Sequence, residues 1–218
     1  MATQTVDTLV TRVLGIAQEP SYSAADVIEL LYEGLVYSAS RIYFPDLEQV
    51  GTVSTSTSTN IVALPSDYLK GLHRCTYGNT QIKVYDNQRM LDRVLSAFNA
   101  SGNVVGVAPR GRYLYYQNIP ATSVDLVLHY IKMPDILEAG GNCPDYLPSG
   151  LAAPLLKHYA LWKIFEAIED GVEGEKVNTK YHEDEYEKAL ANLFLHFGPE
   201  PREQRGFGDE LGFGALIE

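Results

Sequence analysis

The chain has 218 residues, enough for one domain or for one core carrying an insertion, and its 45% hydrophobic and 21% charged content is that of a soluble globular protein. A net charge of −11, from 28 acidic and 17 basic side chains with no basic run, argues against a protein that grips nucleic acid, because displacing counterions from phosphates needs clustered Lys and Arg. No stretch approaches the roughly eighteen apolar residues of a membrane span, and Met1–Thr5 lacks the elements of a signal peptide, so a soluble, cytoplasmically made protein is expected.

Val6, Leu9, Val10, Val13 and Leu14 recur at helical spacing up to Gly15, and Gln18-Glu19-Pro20 then breaks the chain. Ser23, with Asp26 three residues on, carries the signature of a capping box. Val27, Ile28, Leu31, Leu35, Ala39 and Ile42 form the apolar stripe of a second helix, which Phe44-Pro45 ends. Residues 1–46 therefore read as a helical hairpin.

From Leu47 the periodicity changes. Val50–Asn60 is rich in Ser and Thr and has few side chains to bury, so it reads as a mobile loop, the alternative being an exposed β arm. Strand-like runs at Leu72–Tyr77 and Thr80–Tyr85 flank the tight-turn dipeptide Gly78-Asn79. Asn87 caps a short helix with Met90, Leu91, Val94 and Leu95 on one face, and Gly102 breaks it. Further strands follow at Val104–Ala108, Tyr113–Asn118 and Val124–Lys132, the last with Val124, Leu126, Leu128 and Tyr130 on one face. The pattern predicts four to six antiparallel strands forming a small sheet or sandwich inserted over 47–135. Fifteen tyrosines suit both half-buried strands and subunit interfaces.

Ala139–Pro144 reads as a linker, after which Ser149 is placed as the cap of a third helix and Pro154 falls near its start. Leu151, Leu155, Leu156, Tyr159, Trp162, Phe165 and Ile168 spread over more than one face, which predicts a central helix. A fourth helix, Val177–His196, turns Tyr186, Ala189, Leu190, Leu193 and Phe197 inward, completing a second hairpin over 136–198. Residues 199–218 form an extended tail that cannot build a core of its own. Phe207, Leu211, Phe213, Leu216 and Ile217 make it more apolar than a solvated end requires, as in segments that order on a partner. The expected fold is thus α+β: an antiparallel bundle of four main helices with an inserted antiparallel β-sheet region and an extended C-terminal tail.

No constellation assembles an active site. His182-Glu183-Asp184-Glu185 are consecutive on a helix and point in different directions, whereas ligands on one helix need a spacing of three or four. His182 with Tyr186, and Glu183 with Glu187, meet the spacing but not the usual ligand set, so no metal is expected. Glu166, Glu169, Asp170, Glu173 and Glu175 read as a solvated helix end. His73 and Cys75 alternate along a strand and read as packing residues rather than a Cys/His nucleophile. Cys75 and Cys143 lack CxxC or zinc spacing and are expected as free thiols. Phosphate loops and nucleophile elbows are absent from the sequence, so neither enzymatic activity nor a cofactor is expected.

What persuades is an order of segments: the first hairpin, Leu64-Pro65-Ser66-Asp67-Tyr68, Tyr113–Pro120, Tyr130-Ile131-Lys132-Met133-Pro134, then Tyr146-Leu147-Pro148 with the helix Leu155–Gly171. Over about residues 5–197 this set resembles the head-to-tail adaptor (connector, or head completion) proteins of tailed bacteriophages. The resemblance implies a ring of about twelve copies of the chain beneath the portal protein, in the neck of the virion. Such a ring extends the DNA channel, lets double-stranded DNA pass without tight binding, and offers a platform to tail or head-closure proteins, with no membrane involved. It further implies that the acidic helix surface holding Glu166, Glu169, Asp170, Glu183 and Glu187 borders the channel. The tail residues Phe207, Leu211, Phe213, Leu216 and Ile217 would then dock on the portal or on a neighbouring subunit. The alternatives are another neck or tail-completion protein of the virion and, further off, a small soluble enzyme.

Overall fold

The computed structural model describes residues 4–94, 100–170 and 176–200. In chain order the elements are α1 (Val6–Ala17), α2 (Ala24–Arg41), β1 (Glu48–Ser54), β2 (Ile61–Ala63), β3 (Tyr68–Tyr77), β4 (Thr80–Val84) and α3 (Gln88–Val94), then β5 (Gly106–Arg110), β6 (Tyr113–Gln117), β7 (Asp125–Lys132), α4 (Ser149–Glu169) and α5 (Val177–Phe197).

Local chemistry explains most helix ends. Thr5 Oγ1 accepts from the Thr8 amide at the start of α1, which runs past Gly15 and closes at Gln18 in the left-handed region (φ 50). The Ser23–Asp26 capping box forms, with the Asp26 carboxylate accepting from the Ser23 amide at 2.8 Å. Asn87 Oδ1 accepts from the Met90 amide and starts α3. At α4 the cap is Pro148, and Ser149 is the first helical residue rather than the cap expected of it. The segment around Gly141 is held against the start of the chain: Val6 N–H donates to Gly141 O (3.0 Å) and Cys143 N–H to Gln4 O (2.9 Å). Leu9, Val13, Leu31, Leu35, Leu155, Leu161, Ile164 and Leu193 are buried in one core shared by α1, α2, α4 and α5. Gly34 lets α2 come down on α4, since a Cβ there would sit 2.8 Å from the Tyr159 ring.

The expectation of a helical bundle carrying a small inserted antiparallel sheet is overturned. The strands form one curled seven-stranded sheet in the order β1-β7-β3-β4-β5-β6-β2, with its own buried core of Leu72, Cys75, Val107, Leu114, Tyr116, Leu126, Leu128 and Tyr130. It is not wholly antiparallel either: β4 and β5 pair parallel, Lys83 opposite Gly106 and Val84 opposite Val107. The crossover that parallel pairing demands is supplied by α3, whose Leu91 packs with Tyr85 and Ala108. Pro109 is tolerated in β5 because the β4 pairing ends at Val107.

The Ser/Thr-rich stretch is where pattern reading failed. Residues 48–54 are a full edge strand, β1, paired along its length with β7. A ladder is built from backbone groups, so an edge strand holds without burying many side chains. The loop beyond it is pinned as well. The Tyr116 hydroxyl accepts from the Ser56 amide (2.7 Å) and lies 2.7 Å from Thr59 O, while Thr55, 3% exposed, binds Val124 through both main chain and hydroxyl. The edge strands β1 and β2, at opposite ends of the strand order, lie close to each other, as they do when a sheet curls.

Sheet and helices are joined where Lys70 of β3 donates to Ser40 O (3.0 Å) and Ile42 O (2.9 Å) at the end of α2, and at a knot of contacts around Asp67. Asp67 accepts from the Tyr130 hydroxyl on its carboxylate (2.7 Å) and from the Met133 amide on its carbonyl (2.6 Å). The Tyr68 and Tyr130 rings lie 5.6 Å apart, and the Tyr130 ring crosses β1 at Gly51, where a Cβ would come within 2.9 Å of it. One residue further along β7, Ile131 is buried in the helical core, and Pro134 O accepts from the Tyr32 hydroxyl of α2. Replacing Asp67 by Ala strands the Tyr130 hydroxyl, so urea denaturation of Asp67→Ala is expected to show a loss of about 1–3 kcal/mol. Gly51→Val drives two methyls into the same ring and is expected to lower the melting temperature, with loss of about 1–3 kcal/mol.

Candidate functional site

α4 and α5 pack antiparallel and carry Glu166, Glu169, Glu183 and Glu187, with Asp170 as the C-cap of α4. The structure does not bring those five together as one free acidic face. Glu166 pairs with Lys163 (2.8 Å) and Asp170 with Lys176 (2.9 Å). Glu187 forks onto the Arg41 guanidinium of α2, its second contact at 3.1 Å. Glu183 stands exposed, without an ion pair among the described residues. Glu173 and Glu175 lie outside the described residues.

Glu169 has a local duty that helical periodicity does not reveal. From the end of α4 its carboxylate accepts from the Thr179 hydroxyl (2.7 Å) and amide (3.1 Å) and from both nitrogens of Asn178, capping α5 across the intervening loop. The Thr179 hydroxyl, ahead of the other donors, holds its pKa below the usual carboxylate value.

The hairpin interior is aromatic. Tyr37, Tyr159, Trp162 and Tyr186 stand in mutual ring contact at centroid separations of 5.4–6.0 Å, and the buried Tyr186 hydroxyl meets Ser38 Oγ at 3.0 Å. Lys163 lies 4.1 Å over the Trp162 ring and Arg41 lies over Tyr37. A second knot joins His158 of α4 to His182 of α5, both buried, with Nδ1 to Nδ1 at 2.9 Å. One imidazole donates and the other accepts, so the acceptor is neutral, and the lowered pKa of each ring favours the neutral form of both. Phe165 stacks on His182 with ring planes 7° apart. Burial, then the positive charge of Lys157, pushes the His158 pKa down to about 4 and lowers that of His182. The His182 ring packs in this hairpin interior, engaged by His158, Phe165 and Tyr181.

Cys75 and His73 are not a pair. A register shift in β3 between Lys70 and Arg74 breaks the strand alternation. Cys75 faces the sheet core, where burial raises its thiol to about 12, while His73 meets Gly71 O and the edge of His129. Cys143 is likewise a buried free thiol.

Sequence reading missed two apolar surfaces. Ile42, Leu190, Ala191, Phe194 and Leu195 line a groove of about 410 Å³ with the Arg41–Glu187 pair on its rim, where α2 ends against α5. Phe194 is 44% and Leu195 79% exposed. The available signal was an apolar excess, since Phe194 and Leu195 fall beside the inward stripe of α5 rather than on it. At the opposite end of the hairpin Ile168, Val177 and Tyr181 are also exposed. The expected docking residues Phe207, Leu211, Phe213, Leu216 and Ile217 lie outside the described residues.

Aromatics, an Arg fork and exposed apolar side chains make the helical face one suited to contact with other protein chains. A family model described as the SU10 adaptor protein matches residues 4–206, and the chain therefore belongs to the SU10 adaptor protein family. It is a phage adaptor-type structural protein and a virion component, and that membership implies a structural rather than a catalytic role. No curated protein matches the chain in sequence. Among the described residues no helix is long and apolar enough to cross a membrane.

The histidine knot makes stability pH-dependent with a definite sign. Folded His158 and His182 titrate below unfolded histidine, so the folded state binds fewer protons and the stabilisation, complete above about pH 6.5, is lost as pH falls toward 4. Melting temperature measured across that window is expected to drop, and His158→Leu with His182→Leu is expected to flatten the drop, leaving the contribution of His129, also held low by burial.

Proposed function

We propose that the chain is the subunit of a ring of about twelve copies beneath the portal, extending the DNA channel and joining head to tail. The observation that carries this reading is the unbroken family match over 4–206, which takes in both helical hairpins and the whole sheet. In this reading 1–46 and 136–198 act as one helical unit, 47–135 as a strand-rich unit presented to neighbours or to the tail, and 199–218 as a docking tail. The net charge of −11 supports a lumen past which DNA slides, because like charges repel at close range. Asp170, Glu183 and Glu187 are the exposed members of the acidic set available to such a lumen, Asp170 pairing with Lys176 and Glu187 with Arg41. A ring subunit needs two different complementary faces, and the exposed apolar side chains at the two ends of the α4–α5 hairpin supply separate surfaces for them.

Light scattering of the full chain, alone and mixed with the portal protein of the same phage, tests the reading. A stoichiometric, ring-sized complex with the portal is the expected result, and indifference to the portal would move the chain to another position in the neck or tail. Deleting residues 199–218 is expected to leave a folded chain, by circular dichroism, that no longer joins the portal in a pull-down. Normal portal capture by the truncated chain would remove portal docking from the tail.

A further inference from the structure

Among the surfaces of this molecule the α2–α5 groove combines a buried floor, an exposed apolar rim and a charged edge. Ile42 and Leu190 form the floor, 6% and 5% exposed, and Phe194 and Leu195 the rim. An isolated leucine at 79% exposure is ordinary, but a phenylalanine and a leucine lining one concavity with an Arg fork beside them have the make-up of an interface centre. We propose that this groove receives the segment Phe207–Ile217 of a second copy of the chain. The inference deepens the ring reading, on which it rests, by naming the contact that joins one copy to the next.

Four observations support that occupant. The first is direction. Phe197 packs on Phe44 at 5.1 Å, Gly198 turns the chain in the left-handed region (φ 79), and the Glu200 carboxylate lies beside Gly71 of β3. The chain therefore leaves α5 heading for the sheet, whereas the groove runs back along α5 from Leu195 to Glu187. A segment of the same chain would have to reverse to enter it, and a segment arriving from a neighbour would not. The second is reach: residues 201–218 extend to at most about 60 Å, against a radius of gyration of about 17 Å for a domain of this length.

The third is side-chain chemistry. Phe207, Leu211, Phe213, Leu216 and Ile217 supply aromatic and branched aliphatic groups to match the Phe194–Leu195 rim, and the glycines at 206, 208, 212 and 214 let the backbone come close to it. The fourth is charge. Asp209 and Glu210 lie within the segment, and Arg41 on the groove edge has five guanidinium donors, of which Glu187 engages two. Insertion of one chain into the next is a heterologous contact, the kind that closes a ring.

The test uses two full-length variants, Leu195→Cys and Phe213→Cys, mixed under mild oxidation. The native Cys75 and Cys143 are buried, so the introduced thiols are the accessible pair. The expected product is a disulfide joining two chains, whose yield rises with concentration and falls severalfold when Phe194→Asp is added to the Leu195→Cys chain. Absence of an interchain product at the highest attainable concentration overturns the proposal, as does a product indifferent to Phe194→Asp. A Leu195→Cys, Phe213→Cys double variant that closes within one chain at a concentration-independent yield also overturns it, since the tail then occupies its own groove. Portal association of the unmodified chain, measured by light scattering, separates the two readings: a chain that joins the portal yet gives no cross-link keeps the ring and loses this contact.

Discussion

The contact on which the rest of the structure depends is the bond between Asp67 and Tyr130. It sits where β7, which pairs with both β1 and β3, passes from the sheet core into the helical core. Tyr130 faces the sheet interior and Ile131 faces the helices, so each residue of this short run is committed to a different core. A one-residue slip of β7 would exchange the two and disrupt both. Asp67 opposes that slip by holding the Tyr130 side chain and the Met133 main chain together.

This knot also explains why two separated phrases of the sequence carry the resemblance to adaptor proteins. Leu64–Tyr68 and Tyr130–Pro134 are more than sixty positions apart, yet they are two sides of one joint. Pro65 and Asp67 shape the corner from which β3 starts, and Tyr68 pairs with Lys132. Gly51 completes the joint from the third strand by leaving room for the Tyr130 ring. These residues are informative because they fix how two bodies meet, which is the feature an assembly subunit has to keep constant.

The surfaces follow from the same economy. Ionic groups on the helical face are mostly consumed locally: Glu169 by the start of α5, Glu187 by Arg41, Glu166 by Lys163. Exposed ion pairs of this kind add little stability but keep charged side chains in defined places beside apolar ones. What remains for partners is the apolar groove at one end of the hairpin and the Ile168–Tyr181 surface at the other. Between them the His158–His182 pair and the aromatic cluster tie α4 to α5.

By itself the sequence determined the helices, their capping box, the Gly78-Asn79 turn, the inward face of β7 and the absence of recognisable catalytic motifs, because each is written in short-range periodicity or in residue type. The curled seven-stranded sheet was not legible. Its edge strand β1 buries few side chains and is held by a backbone ladder to a distant strand, and its parallel β4–β5 pair depends on a crossover that no local pattern announces. The Glu169 cap, the Tyr116 anchor of the Ser/Thr loop and the α2–α5 groove were equally hidden. Each joins residues far apart in the chain, or residues on separate elements, so its energy exists only after the helices and the sheet have packed.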